Sequence, residues 1–117
     1  MPDIFQHIDA LDATAQQRVI DRLEFRGNYA PFVAMRDAYL DMLDLPPGAR
    51  VCELGCGTGV VSRAIAARDS FDGTVIGSDL SEALVAAANW RARFRAACDR
   101  GQFFGSCNFV TYVAKPN

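Results

Sequence analysis

The segment Val51-Cys52-Glu53-Leu54-Gly55-Cys56-Gly57-Thr58-Gly59-Val60-Val61 constrains this chain more than any other. A short apolar run enters a turn with glycine at three alternate positions, and an apolar helical pattern leaves it. Glycine at such spacing suits a backbone that takes positive φ, or one that a ligand must approach without meeting a Cβ. The helix beyond the turn begins with free N–H groups and a partial positive charge. Strand, glycine turn and helix in that order open a β-α-β unit, whose ligands sit at the carboxyl end of the strand. Glu53 places a carboxylate at that end. Such a group is a poor neighbour for a pyrophosphate and a good one for an ammonium.

The rest of the unit follows in order. Val60 to about Arg68 is the expected crossover helix, with Val61, Ala64 and Ile65 inward. Asp72-Gly73 is a turn, and Thr74-Val75-Ile76-Gly77-Ser78 reads as the second strand. Asp79 closes that strand, 20 residues beyond Gly59. In nucleotide-binding units an acid at about that distance accepts hydrogen bonds from ribose hydroxyls. Ser81 is placed to cap a long helix running to about Arg100 and stopped by Gly101. Its expected buried stripe is Ala83, Ala87, Trp90, Phe94 and Ala97, which recur at steps of four and three. Asn108 to Ala114 is a candidate third strand.

Two helices are predicted upstream. Asp12 or Thr14 caps the first, with Thr14 and Gln17 at capping-box spacing. It runs to about Phe25 with Val19, Ile20 and Leu23 inward, and Gly27-Asn28 breaks it. Pro31 suits the first turn of the second helix. Phe32, Met35, Tyr39 and Leu43 predict its buried face, and Pro46-Pro47-Gly48 ends it. Arg26 and Tyr29 lie in the break, where they pack on the core or cover a ligand. The order helix, helix, β-α-β-α-β predicts an α/β fold with a parallel sheet and right-handed crossovers. Residues 1–48 form the helical lead-in and residues 49–117 the core.

Glu53-x-Gly55-x-Gly57-x-Gly59 resembles motif I of the class I S-adenosylmethionine-dependent methyltransferases. Val75-Ile76-Gly77-Ser78-Asp79-Leu80-Ser81 is similar to that family's second motif. The resemblance covers about residues 20 to 90 and implies a partial Rossmann-like fold with S-adenosylmethionine as cofactor. It implies that Glu53 lies near the methionine ammonium. Gly55, Cys56 and Gly57 let the backbone approach the methionine moiety. Asp79 binds the ribose hydroxyls and Leu80 packs against adenine. A dinucleotide fingerprint would need glycine or alanine at position 60, where this chain has Val60, so a nicotinamide-dependent oxidoreductase is disfavoured.

The family also has an acid after its third strand, but Lys115-Pro116-Asn117 holds none. Its fourth strand and the later elements that supply an acceptor pocket and any general base have no counterpart in the sequence. The expected function is therefore a methyltransferase, or a cofactor-binding fragment of one, with an unidentified small-molecule acceptor and no assignable catalytic residue. The alternative is a non-catalytic module that binds the cofactor or a partner chain. Without a fourth strand, Val51 to Leu54 is expected to be an exposed sheet edge. A homodimer or a partner chain would cover it; otherwise the fragment is marginally stable.

Composition narrows the setting. The 117 residues suit one domain, and 50% hydrophobic with 22% charged residues argues against disorder. A net charge of −2 provides no broad drive towards nucleic acid or an acidic membrane. Arg91, Arg93, Arg95 and Arg100 border the apolar stripe on both sides, which reads as a solvated rim rather than an RNA surface. No apolar run approaches the roughly 18 residues of a membrane span, and no secretory signal is visible, so a soluble cytoplasmic protein is expected. Cys52, Cys56, Cys98 and Cys107 are expected as reduced structural thiols, with Cys56 a small turn residue rather than a nucleophile. No Cys-x-x-Cys pair occurs and His7, read as a surface residue, is the sole histidine, so no metal site is expected.

Overall fold

A computed structural model describes residues 3–99, 103–106 and 110–114, with side chains described through residue 92. Two single 3-10 turns, Ile4–Gln6 and Ile8–Ala10, precede helices α1 (Ala13–Asn28) and α2 (Ala30–Asp41). Strand β1 (Arg50–Leu54), helix α3 (Val60–Ala66) and strand β2 (Thr74–Asp79) then form the β-α-β unit. Helix α4 (Glu82–Asp99) and strands β3 (Phe103–Ser106) and β4 (Val110–Ala114) follow. The result is an α/β fold with a partial Rossmann-like core.

β1 and β2 pair in parallel, from Arg50 opposite Thr74 to Leu54 opposite Ser78. Val75 of β2 is fully buried against Ile65 of α3, Val85, Ala88 and Ala92 of α4, Leu40 of α2, Phe71 and Cys56. A second cluster joins Ile8, Ile20 and Leu84, with Val19, Leu23, Ala83 and Ala87 around it. The inward residues expected on α1 and α3 therefore pack as the periodicity implied. Gly73 is required by a close approach: a Cβ there would lie 1.9 Å from the carbonyl oxygen of Ala49. That oxygen accepts the Thr74 N–H at 2.8 Å, which starts the β1–β2 pairing.

Several expectations need correction. Asp12, not Thr14, caps α1 by accepting the Ala15 N–H at 2.8 Å, and Gln17 donates to Asp21 instead of closing a capping box. Gly27-Asn28 does not break α1, which runs through Asn28. Gly27 is small for another reason: a Cβ there would sit 2.5 Å from Cγ1 of Val60, so it lets α1 lie close to the start of α3. Helix α2 ends at Asp41, ahead of the Pro46-Pro47-Gly48 turn. Its predicted buried face points outward, with Phe32, Met35, Tyr39 and Leu43 all exposed. Leu40 is the buried residue of α2, because the core lies one position round the helix from Tyr39.

On α4 the buried residues are Leu84, Val85, Ala88 and Ala92, while Trp90 is 64% exposed. Ala83 and Ala87 are partly buried, and the side chains of Phe94 and Ala97 lie outside the described residues. The third strand candidate also behaves differently. β4 runs antiparallel to β2, with Val75 opposite Ala114 and Asp79 opposite Val110, and β3 pairs antiparallel with β4. The sheet order is β1-β2-β4-β3. The chain leaving α4 enters β3 in the direction of β2, but the return arm β4 takes the place beside β2. Among the described residues, the β1–β2 pair is therefore the only parallel one. β1 lies at the open edge of the sheet, as expected, and Cys52 on it is exposed.

Candidate functional site

The site is built where β1 and β2 end side by side. Cys56 continues the pairing past the strand by donating its N–H to the Ser78 carbonyl at 2.9 Å. The chain then folds back, with the Gly59 N–H donating to the Cys56 carbonyl at 2.8 Å. Gly55, Gly57 and Gly59 have φ of +68°, +54° and +80°, a region that costs an L-residue roughly 1–2 kcal/mol. Gly59 is the N-cap of α3, and its carbonyl accepts the Arg63 N–H at 2.9 Å.

Asp79 ties this turn to β2. One of its carboxylate oxygens accepts the Gly57 N–H at 2.8 Å, and the other accepts the Ser81 N–H at 3.0 Å. Two carboxylate oxygens offer about four acceptor positions, so capacity for two hydroxyl donors remains. The turn is braced from behind by Arg63, whose guanidinium donates to the Thr58 carbonyl and to Glu24 of α1 at 2.9–3.0 Å. Arg91 of α4 also reaches Glu24, at 3.3 Å. Arg91 is thus a partner of α1, a correction to the solvated rim expected from the sequence; the side chains of Arg93, Arg95 and Arg100 lie outside the described residues.

In front of the turn lies a cleft of about 540 Å³. Gly55, Gly57, Ser78, Asp79 and Leu80 line it together with Phe5, Leu23, Leu54 and Leu84. Leu80 is 82% exposed at its mouth. A Cβ on Gly55 would meet nothing within 4 Å, so the turn leaves open space on this side. Of the six residues singled out from the sequence, Gly55, Gly57, Asp79 and Leu80 line the cleft. Glu53 and Cys56 sit beside it. The Glu53 carboxylate accepts a hydrogen bond from the buried Ser62 hydroxyl on α3. Burial pushes the Glu53 carboxyl above the usual range, and the charge on Asp79 adds to the rise against the opposing bonds from Ser62 and the charge of Arg63. The Cys56 thiol is pushed up to about 12, first by burial and then by the charges of Glu53 and Asp79. Such a shift works against the thiolate, the nucleophilic form of cysteine.

Residues 51–107 match the family of methyltransferase domains. The chain is 35% identical over 72 residues to the 2-phytyl-1,4-naphtoquinone methyltransferase of Thermosynechococcus vestitus, covering 62% of this chain and 32% of that protein. It is 39% identical over 62 residues to the nocamycin O-methyltransferase of Saccharothrix syringae, covering 53% of this chain and 20% of that protein. The core of this chain is similar to methyltransferase domains. The matched part thus spans a third and a fifth of these two curated methyltransferases. No solved structure matches.

Other residues around the cleft lie outside the two sequence motifs. Phe5 and Leu23 reach the cleft, and Ser62 holds Glu53. Asp9 caps α4 from the N-terminal turns, accepting from the Ser81 hydroxyl at 2.7 Å and from the Glu82 and Ala83 N–H groups at 2.8 and 3.1 Å. Burial alone would raise the Asp9 carboxyl, but these three bonds outweigh it and leave it below the ordinary value. Arg26 and Tyr29 do not line the cleft; Arg26 lies over the Phe32 ring, and Tyr29 stacks on Phe25. His7 is exposed. Among the described residues no cluster of metal-ligating side chains occurs, and no helix is long and apolar enough to cross a membrane. Cys98 and Cys107 lie outside the residues whose side chains are described.

Proposed function

We propose that the cleft binds S-adenosylmethionine and that the chain serves methyl transfer to a small-molecule acceptor. The observation that carries this is a glycine turn flanked by two carboxylates, Asp79 lining the cleft and bonded to the Gly57 N–H, and Glu53 at the end of β1. Two carboxylates suit a ligand carrying positive charge and disfavour a pyrophosphate. An adenosyl ligand with an ammonium and a sulfonium suits such a site. Asp79 has acceptor positions left for ribose hydroxyls, the open side of Gly55 admits a ligand against the backbone, and Leu54 and Leu80 offer apolar surface at the mouth.

In this proposal Asp79 holds the ribose, Glu53 draws the ammonium, Gly55, Cys56 and Gly57 present backbone to the methionine moiety, and Leu80 packs on adenine. Bound there, the cofactor supplies an electrophilic methyl group on sulfur. The chain's own contribution is positioning: the bonds from Gly57 and Ser81 hold the Asp79 carboxylate in one orientation before a ligand arrives. Residues 49–117 carry the binding core and residues 1–48 lead into it. The named acceptors of the two relatives, a naphthoquinone and nocamycin, support a small-molecule acceptor here. The free thiols Cys52 and Cys56 suit a reducing, cytoplasmic setting.

Calorimetric titration tests the proposal. S-adenosylmethionine and S-adenosylhomocysteine are expected to bind and NAD is not. Asp79→Ala is expected to weaken nucleoside binding by roughly 1–3 kcal/mol, the scale of hydrogen bonds to a charged group. Unchanged affinity in that variant would remove the ribose role.

A further inference from the structure

We infer that Phe5 is a ligand-contacting wall of the cleft and that Asp9 is the residue that positions it. The inference rests on the adenosyl site proposed above and extends it to a segment outside both sequence motifs. Phe5 lines the same cleft as Gly55, Gly57 and Asp79, yet its side chain is 51% exposed. The segment that carries it is strongly held. Asp3 accepts the Phe5 N–H at 3.0 Å. Ile8 is 1% exposed, packed with Ile20 and Leu84. Gln16 donates its side-chain amide to the Ile8 carbonyl at 3.2 Å.

The strongest tie is Asp9. Its carboxylate takes the Ser81 hydroxyl and the first N–H groups of α4, residues more than 70 positions away in the chain. Ser81 is also the residue whose N–H binds Asp79. One clasp therefore holds the N-terminal segment against the residue that follows the ribose-binding acid and its neighbour Leu80. Packing alone does not explain an aromatic ring placed this way. The anchoring residues are buried or hydrogen-bonded, whereas the ring gains little burial and faces the open cleft with Leu23 and Leu84. An aromatic ring lining the same cleft as a ribose acceptor suits the adenosyl part of a ligand.

S-adenosylhomocysteine is the probe, titrated calorimetrically into the whole chain and its variants. Phe5→Ala is expected to lose about tenfold in affinity, the scale of one base–aromatic stack, and Phe5→Trp to keep it. Asp9→Ala is expected to lose affinity too. The decisive comparison is Phe5→Ala/Asp9→Ala. If Asp9 acts through Phe5, the pair binds no more weakly than Phe5→Ala alone, within about twofold; independent losses would multiply. Circular dichroism melts check that each variant folds, and Asp9→Asn, which keeps one acceptor oxygen, replaces Asp9→Ala if the latter does not. Wild-type affinity in Phe5→Ala overturns this inference and leaves the adenosyl site standing. Multiplying losses in the pair overturn the positioning role of Asp9. Failure of the unmodified chain to bind the probe overturns both the site and the inference.

Discussion

The turn between β1 and α3 and the α1–α2 hairpin rest on one core and treat their residues in opposite ways. In the turn, Gly55, Gly57 and Gly59 all take positive φ, and Cys56 and Thr58 between them are buried. In the hairpin, Phe25, Tyr29, Phe32, Met35, Tyr39 and Met42 are 40–82% exposed. Some of these rings meet one another, Tyr29 lying 6.5 Å from Phe25 and 5.9 Å from Phe32. The turn is specified by what the backbone can do, and its residues have few substitutes. The hairpin is specified by which side of each helix finds a neighbour, and apolar character alone does not decide that.

Substitutions can break or sharpen this contrast. The largest effect is expected from Gly73→Ala in the β-α-β unit. The new Cβ would meet the Ala49 backbone, which cannot move aside without losing the bond to Thr74. A loss on the order of 3 kcal/mol is expected in urea unfolding, the upper part of the overpacking range. Wild-type stability would show that this corner can relax. Leu40→Ala, the buried residue of α2, is expected to cost about 2–3 kcal/mol in the same measurement.

Glu53→Gln acts in the other direction. The folded pKa of Glu53 is raised, so the folded chain holds this proton more firmly than the unfolded one. Stability from this group is present below the ordinary value of 4.5 and is lost as pH rises through the folded pKa. The glutamine variant should therefore melt higher than the parent at neutral pH, and the gap should close below pH 4.5. A gap of equal size at both pH values would show that charge is not the cause. The smallest effect is expected from Met35→Gln on the outer face of α2, within about 0.5 kcal/mol. A loss comparable to that of Leu40→Ala would mean that this face is covered in solution and would erase the contrast.

Much of the candidate site was legible because its signals are local. The apolar run of β1, three glycines at alternate positions and an acid closing β2 specify a turn whose conformation few other residues tolerate. Gly55, Gly57, Asp79 and Leu80, singled out from the sequence, line one cleft. The hairpin faces were not legible. The stripe Phe32, Met35, Tyr39 and Leu43 has sound helical spacing, but spacing only says that those side chains share a side. The core meets the adjoining side at Leu40. On α4 the same reasoning placed Trp90 inward, whereas the packed residues are Leu84, Val85, Ala88 and Ala92.

The sequence by itself determined the β-α-β unit, the conformation of its turn and the acids beside it, because these depend on residues adjacent in the chain. Tertiary structure alone decided that Asp9 caps α4, that Glu24 gathers Arg63 and Arg91, that Phe5 enters the cleft, and that β4 rather than β3 pairs with β2. Each of these joins groups distant in the chain. Hydrogen bonds and ion pairs reward whichever partner the packed backbone brings within reach, and no local pattern of residue types names that partner in advance.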